Sequence, residues 1–150
     1  MSLRRSDHDL AADAMRALNR VRKDLGGSVS PQVLTRLASL PAMLRTSGVL
    51  PSLAYYTAKQ GKKKALEKAY GIVGVEVRAQ ISAVLGWEED GRPSLDLSFL
   101  DKLTLHLQEH PASAGLLSVR LEHFAVWLSR LSEALEREQK STSEAERADA

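Results

Sequence analysis

The chain predicts an all-α fold, a single-domain bundle of about six helices. Three observations carry this. Large apolar residues recur every three or four positions in successive segments, the spacing that lines one helix face. Five prolines and nine glycines sit almost wholly between those segments, where they start or stop helices. No two segments carry the signals of paired strands, and a lone strand without a partner is unstable.

Taken in order, Ser6 with Asp9 three residues on forms a capping box, followed by Leu10, Ala14, Leu18, Val21 and Leu25 on one face. Gly26-Gly27 ends that helix. Ser30-Pro31 is a cap followed by proline at the first helical position, where its missing N–H is harmless. Val33, Leu37, Leu40 and Leu44 then mark the second helix, with a kink or a break expected at Pro41. Gly48 closes it, and a third helix spans roughly 51–60.

Beyond Gly61 a long fourth helix is expected over 62–85, with Leu66, Ala69, Val73, Val77, Ile81 and Val84 inward. Its segment 71–77, GIVGVEV, has a strand-like composition, but the absence of a partner favours helix. Residues 86–94, GWEEDGRPS, read as an acidic turn. A fifth helix, 95–110 and capped by Ser94, places Leu97, Leu100, Leu103 (or Thr104) and Leu107 inward; Pro111 stops it. The sixth has the clearest period, Leu117, Leu121, Phe124, Leu128, Leu131 and Leu135. The bundle is therefore expected over 1–137. Residues 138–150, which lack large apolar side chains, are expected as a disordered polar tail.

A chain of 150 residues, 43% hydrophobic and 27% charged, is of ordinary globular composition and long enough for one core. It has no apolar run of membrane-spanning length, no secretory pattern and no cysteine. A cytoplasmic protein without disulfides or thiolate chemistry is expected. The net charge of +2 hides an asymmetry. Residues 1–82 carry 14 Lys/Arg against 6 Asp/Glu, and residues 83–150 carry 7 against 13. Such a distribution gives the field a direction, able to attract a polyanion to one side or to let copies stack basic end to acidic end.

No phosphate-cradling glycine loop or nucleophile elbow is present. His106 and His110 stand four apart, but Leu107 occupies the place of the zinc-protease glutamate. They read as exposed polar side chains near a helix end, and no metal, cofactor or catalytic residue is expected. Glu88, Glu89 and Asp90 read as a solvated acidic turn.

One constellation stands out. Lys59, Lys62, Lys63, Lys64 and Lys68 fall within ten residues around Gly61. Three of them lie at a helix N-terminus, where the end dipole disfavours cations and would favour a bound phosphate. Lys63 is four before Glu67, a spacing that partly neutralises it. Residue chemistry alone fits a solvated cationic face and a nucleic-acid-binding face equally. Tyr55 and Tyr56 precede the cluster, and adjacent helical residues lie about 100° apart, so only one can point squarely inward. The other stacks on a base or covers a neighbouring helix. Trp127 adjoins the sixth helix's apolar stripe and reads as core or as a subunit contact.

Leu40-Pro41, Leu44-Arg45, Gly48, Leu53-Ala54, the two tyrosines and the lysine-rich exit together resemble the small all-α subunit of type III-B CRISPR RNA-guided effector (Cmr) complexes. The resemblance runs over roughly residues 8–137. It is densest at 40–64 and recurs at FAVWLSRL, 124–131. It implies a non-catalytic scaffold that stacks with copies of itself and with other effector subunits, facing the groove that holds guide RNA and target RNA. The cluster Lys59, Lys62, Lys63, Lys64 and Lys68, with Arg45 as a weaker member, agrees with that role and is expected to form the RNA-facing patch. Two other classes compete: a helix-turn-helix DNA-binding regulator turning at 45–49, and a helical adaptor that binds only protein.

Overall fold

The computed structural model describes residues 7–149, which form six helices and, among the described residues, no strand. They are α1 (Asp7–Asp24), α2 (Pro31–Ser47), α3 (Val49–Lys59), α4 (Ala65–Leu85), α5 (Leu97–Glu109) and α6 (Pro111–Asp149). The Ser6 cap lies outside the described residues.

The longest helix organises the rest. α6 lies along α2 and α1, α4 packs on α2 and α3, and α5 closes over α3 and the start of α6. The core lies where these faces meet, around Leu10, Leu37, Leu53, Ile81, Leu121 and Phe124. The periodic residues of α1, α2 and α6 are buried as the sequence predicts, Leu25 and Leu131 only in part.

Local chemistry sets the helix ends. Ser30 Oγ accepts from the amide of Val33, and Pro31 follows at the first helical position. Gly48, at φ 85°, lets α2 end and α3 begin with no intervening loop, a backbone conformation costly for any residue with a Cβ. α2 runs unbroken through Pro41, whose ring is buried. Residues 71–77 are helical, and Val73, Gly74, Glu76 and Val77 are all buried within α4. Tertiary burial outweighs the local preference of that segment for strand.

Four expectations are corrected. α4 begins at Ala65, so Lys62 and Lys63 lie in the preceding bend, and Leu66, expected inward, is 47% exposed. α5 is capped by Asp96, whose carboxylate accepts from the Phe99 amide at 2.8 Å, and not by Ser94. The start of α5 two residues later than expected turns Leu97 outward, while Leu95 and Phe99 fill the core. α6 does not end near 137 but continues as helix to Asp149. There the Gln139 side chain donates to the Val29 carbonyl at 3.1 Å and accepts from the Val29 amide at 2.8 Å. A polar side chain thus ties to the body a segment that has no apolar face.

The acidic turn is also more structured than a solvated loop. Arg78 donates to Glu89 through Nε at 3.0 Å, and the Ser82 hydroxyl donates to the same carboxylate at 2.8 Å. Arg92 reaches buried Glu76 at 2.6 Å and Asp24 at 3.2 Å, while Arg20 donates to Glu76 at 2.8 Å. These bonds pin the 86–96 connection to α4 and α1. Burial of Glu76 is tolerable because two guanidiniums satisfy its carboxylate.

Candidate nucleic-acid interface

The α3–α4 connection is shaped by Glu67. Its carboxylate turns back toward the chain and accepts from the amides of Lys63 at 3.3 Å and Lys64 at 3.4 Å. Its backbone carbonyl accepts from the Gly61 amide at 3.2 Å. A Cβ on residue 61 would stand 2.5 Å from Glu67 Oε1, so a larger residue there would push against the capping carboxylate; the glycine serves close approach, not an unusual φ. Glu67 thereby caps α4. The ion pair with Lys63 that the i,i+4 spacing predicts is not among the described contacts.

The five lysines are grouped around this turn. Lys59 ends α3, Lys62 and Lys63 occupy the bend, Lys64 is the N-cap of α4, and Lys68 stands in its first turn. All five are exposed. Among the described residues none of them makes an ion pair; Lys59 instead places its ammonium 5.4 Å from the centre of the Tyr55 ring. Arg45 is engaged elsewhere: its Nε donates to Glu122 on α6 at 2.8 Å. The structure brings together the five lysines and ties Arg45 to the α2–α6 contact.

Behind the lysines lies a tyrosine cluster. Tyr56 is buried and Tyr55 is 42% exposed, so the pair splits between core and surface as adjacent helical residues must. Tyr70 of α4 meets both edge-on, with ring centres at 5.8 Å from Tyr55 and 5.0 Å from Tyr56. Burial pushes the Tyr56 phenol far up, and burial followed by a hydrogen bond with Tyr55 raises Tyr70. Both are therefore neutral phenols at physiological pH. Arg36 donates to the Tyr70 hydroxyl and lies 5.0 Å from its ring centre. Tyr70 and Arg36 went unnoticed in the sequence because they come from α4 and α2, and only packing brings them to α3.

Beside the turn a groove of about 460 Å³ runs along α4, floored by Gly71, Ile72 and Val75 and edged by Lys62 and Lys68. The histidine pair forms no metal cluster. His106 and His110 stack at 4.5 Å, His106 meets Trp87 edge-on at 5.2 Å, and no group of three potential ligands occurs among the described residues. Burial first, and His110 second, hold His106 below its ordinary pKa. Trp127, read as core or subunit contact, is 38% exposed on α6.

Residues 7–135 match the model of a family of CRISPR-associated proteins, Cas_Cmr5. The fold is similar to the X-ray crystal structure of a CRISPR-associated Cmr5 family protein from Thermus thermophilus. The TM-score is 0.56 at 21% identity, covering 88% of this chain and 98% of that one. No curated protein matches. The match over residues 7–135 takes in every helix but the distal part of α6, and the chain belongs to the Cmr5 family of CRISPR-associated proteins.

Proposed function

We propose that this chain, a type III-B Cmr subunit by family, is a non-catalytic scaffold of the RNA-targeting complex. It stacks with copies of itself and with other effector subunits, and holds guide and target RNA by backbone charge in the cytoplasm. No helix of the described residues is long and apolar enough to cross a membrane.

The observation that carries this reading is the set of five exposed lysines without ion pairs around one helix entrance. Their nearest acid, Glu67, is occupied by backbone amides. Charge left uncompensated within the chain is available to phosphates, and such contacts are independent of sequence. Arg45 is the weaker member because Glu122 already holds it. A regulator reading bases with α3 is disfavoured. That helix buries Val49, Ser52, Leu53 and Tyr56, and exposes Pro51, Ala54, Tyr55, Ala58 and Lys59, without the amide or guanidinium forks that base edges require.

Changing Lys62, Lys63 and Lys64 together to Ala, and measuring RNA binding by the assembled complex across salt, tests the patch. Each phosphate contact on a single strand contributes a log–log slope of about 0.7, so the slope should flatten by up to roughly 2. Unchanged affinity and slope, with the subunit still assembled, would mean that the lysines are a solvated face and the protein a protein-only adaptor.

A further inference from the structure

A lysine patch by itself does not distinguish a duplex from a single strand, since both offer phosphates. The neighbouring tyrosine does. Tyr55 stands one helical turn before Lys59, and it is the more exposed of the two adjacent tyrosines. Its ring is braced by Tyr70 in a T-shaped contact, at an interplanar angle of 74°. Tyr70 is in turn held by buried Tyr56 and by the Arg36 guanidinium. An exposed aromatic ring in so fixed an orientation has lost little further freedom when a second ring lies on it. Among the described residues, the charged side chain at that ring is Lys59, whose ammonium sits on a flexible stem.

We propose that Tyr55 is a stacking platform for an unpaired nucleobase, which makes the patch selective for single-stranded nucleic acid. The proposal rests on the reading of the lysines as a phosphate-binding face. A base arriving on Tyr55 displaces the Lys59 ammonium from the ring and leaves it to meet the phosphate of the same nucleotide. Lys62, Lys63, Lys64 and Lys68 then lie along the onward path of the strand. Every base has a π-face, so the platform is tolerant of sequence. A duplex buries its base faces in its own stack and cannot use it.

The test measures binding of the full chain to labelled oligouridine, to oligodeoxythymidine of the same length and to an RNA duplex, at several salt concentrations. The variants are Tyr55→Leu, which keeps an apolar contact for Tyr70, and Tyr55→Phe, which keeps the ring. Tyr55→Leu should weaken single-strand binding by roughly 5- to 160-fold, the range set by stacking one base on an aromatic side chain. It should leave the salt slope and duplex binding unchanged, since no phosphate contact is lost. Tyr55→Phe should bind as the parent does. The RNA and DNA arms show whether the ribose hydroxyl contributes; equal losses in both fit stacking alone.

If the lysine triple variant flattens the slope while Tyr55→Leu binds at the parental level, stacking is wrong and the phosphate patch stands. If neither variant alters binding, both readings fall; if the parent chain binds no single strand even at low salt, the platform proposal falls. If Tyr55→Leu spares RNA binding but abolishes co-purification with partner proteins, the ring is a protein contact and the proposal is overturned.

Discussion

Arg78 and Glu89 make one pair that carries a pH dependence with a definite sign. Hydrogen bonding from Arg78 is the largest influence on the Glu89 carboxyl and, with help from Ser82, holds its pKa below the ordinary value of 4.5 against the opposing effect of burial. A carboxyl depressed in the folded state contributes stability that is fully present above its unfolded pKa. That stability is lost as pH falls through the folded value. Glu89→Gln should therefore lower stability at neutral pH and flatten its decline below about pH 4.5. Urea midpoints at neutral pH and near pH 3 check this. Parallel acid limbs in parent and variant would show that Glu89 is not held by Arg78. His106 acts in the same direction higher on the scale: its depressed pKa withdraws stability as pH falls below its ordinary value of 6.5.

Within α4, two glycines three residues apart have opposite environments. A Cβ on Gly71 would meet nothing nearer than the Gln60 Cβ at 3.9 Å, whereas one on Gly74 would press Leu95 Cδ1 at 3.1 Å. Alanine in a helix interior is favoured over glycine by about 0.5–1 kcal/mol. Gly71→Ala should therefore stabilise the protein by about that amount. Gly74→Ala should gain less or lose, because well-packed Leu95 must shift. Thermal and urea midpoints of the two variants measured side by side decide it, and equal gains would mean that Leu95 is loosely packed on α4. The same packing explains why GIVGVEV is a helix: Gly74 admits Leu95, and Val73 and Val77 enter the core.

Across the whole molecule, α6 is the spine on which α1 and α2 assemble. Its distal part reaches the body through Gln139, whose amide pairs with both backbone polar groups of buried Val29. Gln139→Ala leaves that amide and carbonyl without their partner, a loss of about 1–3 kcal/mol when such groups stay dry. Urea denaturation together with amide exchange at Val29 measures it. Parental stability and unchanged protection would mean that the segment beyond 137 is not tied to the bundle. Elsewhere, Glu76 joins α1, α4 and the 86–96 connection through Arg20 and Arg92. Polar ties between remote segments thus supplement one apolar core.

Periodicity and the placement of proline and glycine were enough to determine six helices and most core residues, because burial of an apolar face repeats at the helical period wherever it occurs. The lysine cluster was equally legible, being confined to ten residues with Glu67 as their one acid. The residues quoted over 40–64 carried the family resemblance that the match over 7–135 then established. What tertiary structure alone decided involves pairs of residues from different segments of the chain. Glu122 engages Arg45, Arg78 orders Glu89, and Tyr70 with Arg36 braces Tyr55. Gln139 anchors a segment whose composition reads as disordered. Composition reports how much apolar area a segment can bury; it cannot report a single hydrogen-bonding partner more than a hundred residues away, which exists only once the chain has folded.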